Sequence, residues 1–194
     1  MKSKISHKNC DYEYVELYKV FQQGNDFNLL KSFLDTHGGI NAIDESGRTA
    51  LVNCIIAYNS PIKKITFANE YAKKLVDLGA DTNKKDLNGR VALHFCISTK
   101  NYEILDFLLK TPNIDIHTQP NLLEIADITD SLLIIKLIKF GLNPFEKDDD
   151  GYSFYDVLKE YDDGIITKGG GKVSVKPVMD FINLARTALP SAWQ

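Results

Sequence analysis

The sequence has no apolar run approaching the roughly 20 residues that cross a bilayer. Its longest apolar stretch, Leu132 to Phe140, is interrupted by Lys136 and Lys139. Cysteine is scarce: Cys10, Cys54 and Cys96 are odd in number and far apart. That spacing excludes a disulfide framework and the close pairs of a zinc site, and reads as small buried thiols in a reducing compartment. Charge of one sign is missing too, since 23 basic and 26 acidic residues leave a net charge of −3. The lysines are scattered, so nothing electrostatic points to nucleic acid or a membrane surface as the ligand. The opening Met1-Lys2-Ser3-Lys4-Ile5-Ser6-His7-Lys8 is basic without the apolar core of a secretion signal, so a cytoplasmic location is expected.

Catalytic and ligand-binding signatures are equally thin. Gly169-Gly170-Gly171-Lys172 suggests a phosphate loop, but counting from Gly164 puts Gly170 where the loop needs lysine. Asp148-Asp149-Asp150-Gly151 fits no calcium-loop register that supplies both the glycine and the closing glutamate. His7, His37, His94 and His117 are dispersed, and His94 and Cys96 stand two apart on a helical pattern, so their side chains diverge. No nucleophile elbow occurs. The expectation is a chain with no catalytic residues, no metal and no cofactor.

What is present is self-similarity. Asp77-Leu78-Gly79-Ala80-Asp81-Thr82-Asn83-Lys84-Lys85-Asp86 parallels Lys139-Phe140-Gly141-Leu142-Asn143-Pro144-Phe145-Glu146-Lys147-Asp148 and, more loosely, Asp35 to Asp44. Each final aspartate is followed three residues later by glycine, at Gly47, Gly89 and Gly151. A new apolar pattern then begins, at Arg48-Thr49-Ala50-Leu51, Arg90-Val91-Ala92-Leu93-His94 and Tyr152-Ser153-Phe154-Tyr155. Ala68, Tyr71, Ala72, Leu75, Val76 and Leu78 recur at helical spacing, and Gly79 sits where a helix ends. Asp86-Leu87-Asn88-Gly89 is turn chemistry.

This arrangement resembles the ankyrin repeat, whose signature joins a Gly-Ala-Asp-x-Asn stretch, an Asp-x-x-Gly turn and Thr-Pro-Leu-His. The resemblance covers roughly residues 12–189 and is strongest from Gly79 to Leu109. It implies an all-α solenoid of about five stacked helix pairs in a single domain over 1–194: a cap pair about 11–36, then repeats about 44–78, 86–110, 120–140 and 148–189. Asp44 and Asp86 lie 42 residues apart against a period of about 33, which puts an insert at 58–67, where Pro61 breaks any helix. Ala50, Ala92 and Phe154 replace the motif proline, which weakens the expected helix starts. A second insert, 164–176, reads as a β-hairpin finger, with a flexible glycine loop as the alternative.

Function follows from the same resemblance. Ankyrin-like proteins bind partners, mostly proteins, on the face formed by the turns and first helices. Carried onto this chain, the turn tips are Glu45, Ser46 and Arg48, then Leu87, Asn88 and Arg90, then Asp149, Asp150 and Tyr152. Asn53 and Tyr58 are expected to face the groove from the first helix. Leu87 and Tyr152 are apolar or aromatic where water is expected, and the two inserts are further candidate contacts. The His94 imidazole is expected to bond to the backbone of a neighbouring turn and so stabilise the stack. The reading is a monomeric, one-to-one binder and inhibitor of a protein partner, with no nucleic-acid or membrane partner. It is similar to immunity proteins that neutralise a bacterial toxin. A pathogen or viral adaptor binding a host signalling protein is the alternative, and an enzyme with a site across the concave face a remote one. The Asn-, Lys- and Ile-rich composition suits an AT-rich genome, whether bacterial or viral.

Overall fold

The computed structural model describes residues 10–60, 65–116, 122–148, 150–161, 165–168 and 171–188. The chain divides into two compact units, Met1–Ile114 and Asp115–Gln194.

In the first unit three helix pairs follow one another: α1 (Tyr14–Gln22) with α2 (Phe27–Thr36), α3 (Ala50–Tyr58) with α4 (Ala68–Asp77), and α5 (Ala92–Ser98) with α6 (Tyr102–Leu108). α3 and α5 begin at the alanines that replace the motif proline. Their starts are secured by side chains instead. Thr49 accepts the Val52 N–H at 3.5 Å, and Val91, which has no hydroxyl, instead donates its own N–H to His94 Nδ1 at 3.1 Å. Buried His94 therefore caps its own helix. Just past the end of α4, Gly79 has a φ of +90°, which lets Ala80 N–H reach back to the Leu75 carbonyl at 2.9 Å.

α3 packs on both α4 and α5, and α4 packs on α6, which is the stacking of successive repeats. Leu17, Phe21, Leu30, Leu51, Ile55, Leu75, Leu93, Ile104, Leu105 and Leu108 are buried between them. The Tyr71 ring sits among Phe21, Phe27 and Phe67 at centroid distances of 6.4, 5.2 and 4.8 Å. Leu78 departs from the stripe expected of α4. It lies past the helix end and is 53% exposed. Cys54 and Cys96 are buried, and burial pushes both thiols up. Residues 61–64 of the expected first insert, Pro61 among them, lie outside the described residues.

One polar cluster pins the second repeat to the third. Asn101 Nδ2 donates to Asn69 Oδ1 at 2.8 Å and to the Ile55 carbonyl at 3.4 Å. Asn69 Nδ2 donates to Asn101 Oδ1 at 3.2 Å and to Glu103 Oε2 at 2.8 Å. Asn101 also caps α6, accepting the Ile104 N–H at 3.4 Å.

The second unit holds α7 (Leu122–Ile125), α8 (Ser131–Lys139), α9 (Phe154–Lys159), β1 (Ile165–Lys168), β2 (Gly171–Ser174) and α10 (Lys176–Ala188). Asp130 caps α8 by accepting the Leu133 N–H at 3.0 Å. Ser153 and Asp156 form a reciprocal capping box, so α9 also starts at its missing proline, Phe154. α8 packs on α10, and Ile134, Leu137, Val178 and Ile182 are fully buried. β1 and β2 pair antiparallel, from Ile165 opposite Ser174 to Lys168 opposite Gly171. Gly169 and Gly170 lie outside the described residues. Among the described residues, no helix is long and apolar enough to cross a membrane.

Candidate functional site

The Asp-x-x-Gly turns are built by the aspartate itself. Asp44 N–H donates to the Arg48 carbonyl and Gly47 N–H to the Asp44 carbonyl, both at 2.9 Å. Asp44 Oδ1 accepts the N–H groups of Ser46 and Arg48 at 2.8 and 2.9 Å. Asp86 repeats the pattern, with Oδ1 accepting from Asn88 and Arg90 at 2.8 and 2.9 Å. A short carboxylate facing its own backbone is the reason for aspartate here, and glycine supplies a φ of +75° at both Gly47 and Gly89. The two tips are joined directly, since Leu87 N–H donates to the Ser46 carbonyl at 3.1 Å.

The second carboxylate oxygen distinguishes the two turns. Asp44 Oδ2 accepts from Asn53 Nδ2 at 2.9 Å. At the equivalent position of the next repeat stands Phe95, which offers no donor. Asp86 Oδ2 therefore takes Arg90, through Nε at 3.0 Å and Nη2 at 2.8 Å. Both guanidiniums then lie over the Phe95 ring, Arg48 at 5.4 Å and Arg90 at 4.7 Å from its centroid.

This geometry carries a pH dependence. Burial opposes ionisation of Asp86, but the Arg90 side chain and the N–H groups of Arg90 and Asn88 outweigh it, holding the carboxyl below its ordinary 3.8. Glu103 is likewise lowered, by Lys73 Nζ and Asn69 Nδ2. A carboxyl with a folded pKa below its unfolded one binds fewer protons when folded, so its contribution is full above the unfolded value and lost as pH falls through the folded one. The urea midpoint is expected to drop as pH is taken down through the ordinary carboxyl range, and Asp86→Asn is expected to flatten that slope.

The structure brings Ser46, Arg48, Leu87, Arg90 and Phe95 onto one face of the first unit. Glu45 is exposed, with Oε2 accepting the Tyr14 N–H at 2.8 Å, and Asn88 is exposed. Tyr58 is half-buried at the end of α3. Asn53 does not face the groove as expected. It is 0% exposed, because Asp44 needs its amide, and it stabilises the turn rather than presenting itself to a partner. Asp150 and Tyr152 are exposed in the second unit, Tyr152 at 57%, on a turn where Asp148 Oδ1 accepts both their N–H groups. Asp149 lies outside the described residues. Phe95 was missed as a site residue, although its sequence signal was an aromatic standing where the previous repeat has Asn53.

Among the described residues, no group of three or more His, Cys, Asp or Glu side chains is placed to hold a metal ion.

A family model describing ankyrin repeats, in three copies, matches residues 17–120. The chain is 29% identical to an ankyrin repeat protein of Fowlpox virus (strain NVSL), over 54% of this chain and 30% of the relative. It is 28% identical to the I-Kappa-B like protein C1 of Microplitis demolitor bracovirus (isolate Webb), over 50% of this chain and 55% of the relative. The match thus spans about a third of one viral relative and about half of the other. With Asp-x-x-Gly turns, paired helices and repeat-on-repeat packing all in place, the chain belongs to the ankyrin-repeat family.

Proposed function

We propose that this chain binds one protein partner, one to one, through the turn tips at residues 44–48 and 86–90, and that binding blocks the partner. The observation that carries this is Leu87. It is an apolar side chain 74% exposed at the end of a turn whose backbone is hydrogen-bonded to the preceding tip. An exposed leucine on a backbone held in place loses little ordering entropy on binding and gains from burial. Leu87→Asp is expected to leave the melting temperature within the range of an ordinary surface substitution while weakening partner capture by roughly tenfold or more. Capture from cells that express the protein, with bound proteins identified by mass spectrometry, measures it. Undiminished capture by the folded variant would move the site to the inserts at 58–67 and 164–176.

Two identities for the partner differ in kind. The immunity reading requires a toxin encoded beside this chain. The viral source of the two relatives, one of them named I-Kappa-B like, favours the adaptor directed at a host signalling protein. A single stoichiometric partner of host origin would support the adaptor, and a nuclease or other toxin the immunity protein.

A further inference from the structure

We infer that Arg48 is a receptor for a carboxylate of the partner, and that this subsite together with Leu87 selects an acidic residue next to an apolar one. The inference rests on the turn-tip reading above and names the chemistry recognised there.

Arg48 and Arg90 occupy the same position in successive repeats, yet only one of them is paired. Arg90 is locked to Asp86, whose side chain is 1% exposed, so its charge is spent within the fold. The partner that Arg48 would take by analogy, Asp44, is already engaged on both oxygens. Its Oδ1 holds the Ser46 and Arg48 N–H groups and its Oδ2 holds Asn53. The neighbouring Glu45 is turned to the Tyr14 N–H. Among the described residues the Arg48 guanidinium has no carboxylate, and its Nε is buried without any hydrogen-bond partner.

A buried guanidinium donor without an acceptor is costly, and it persists only where the surroundings fix it. Phe95 does so, holding the Arg48 group at 5.4 Å from the ring that also carries the already neutralised Arg90. The outcome is a positioned, half-buried cation with unused terminal donors, which is the geometry that binds a carboxylate in a two-pronged way. Leu87, leaning over Gly47 at the adjoining tip, supplies the apolar contact beside it.

The test is selection of a phage-displayed random heptapeptide library on the full chain and on Arg48→Gln. Wild type is expected to enrich peptides with Asp or Glu beside a large apolar residue, and their affinity should fall with added salt. Arg48→Gln, shown folded by its melting curve, should bind those peptides about tenfold more weakly or worse. Arg48→Lys keeps the charge without the fork and should fall several-fold, which keeps the test decisive where the glutamine variant does not fold. Acid-free peptides, or equal affinity for the substituted proteins, would overturn the carboxylate assignment alone. No enrichment on wild type would instead overturn the turn-tip reading on which it rests.

Discussion

Asn101→Ala is expected to be among the most destabilising single substitutions in the first unit, at about 2–4 kcal/mol. Two losses add. The Asn101 side chain caps α6 through the Ile104 N–H, and removal of such a cap costs about 1 kcal/mol. Its amide also satisfies Asn69, a residue only 4% exposed, and leaving that carbonyl orphaned costs about 1–3 kcal/mol more. Asn69→Ala alone should cost less, because Asn101 keeps the Ile55 carbonyl and the Ile104 N–H. The double substitution should cost less than the sum of the singles, because each single already removes both hydrogen bonds between the two amides. Urea unfolding of the four proteins measures this, and strict additivity would show that the pair does not act as a unit.

The turns were legible in the sequence because their chemistry is local. Asp44, Asp86 and Asp148 each bind their own backbone and each need glycine three residues on, so composition and spacing determine the geometry before any tertiary contact forms. Helix starts were less legible. The missing prolines raised doubt at Ala50, Ala92 and Phe154, but Thr49, His94 and Ser153 supply the cap chemistry that proline does not. Proline presets one dihedral; it satisfies no orphan N–H.

The face itself was only half legible, because burial there depends on what a neighbouring group requires. Asn53 was assigned to the groove by carrying the family's first-helix positions onto this chain. It is inside because Asp44 has a second oxygen to satisfy. Substitution of that position by Phe95 one repeat later redirects Arg90 onto Asp86 and creates an aromatic floor for Arg48. Such an exchange of partners between repeats is invisible to a consensus, which averages over the very positions where the copies differ. Leu78 went the other way. Periodicity placed it on the buried stripe, but α4 stops at Asp77 and the chain turns away.

The sharpest contrast is expected between two glycines that look interchangeable in sequence. Gly47 and Gly89 both close an Asp-x-x-Gly turn and both have φ of +75°. Alanine pays the same backbone penalty at each, about 1–2 kcal/mol for an L-residue in the left-handed region. At Gly89 nothing else lies within 4 Å of an added Cβ, so that penalty is the whole effect. At Gly47 the new carbon would stand 2.9 Å from the Leu87 nitrogen and 3.1 Å from Leu87 Cγ. The backbone nitrogen cannot rotate aside as a side chain could. The tips must separate, and the Leu87 N–H to Ser46 carbonyl bond of 3.1 Å goes with them, for a further loss of about 0.5–1.5 kcal/mol. Gly47→Ala is therefore expected to cost about 1.5–3.5 kcal/mol against about 1–2 for Gly89→Ala, measured as urea midpoints at constant slope. The functional consequence should track the same asymmetry. Prising the tips apart moves Leu87 away from Arg48, so a folded Gly47→Ala protein is expected to lose partner capture while Gly89→Ala retains it. Equal effects of the two substitutions would mean that the tips are not held together by this junction, and that the binding face is not preformed.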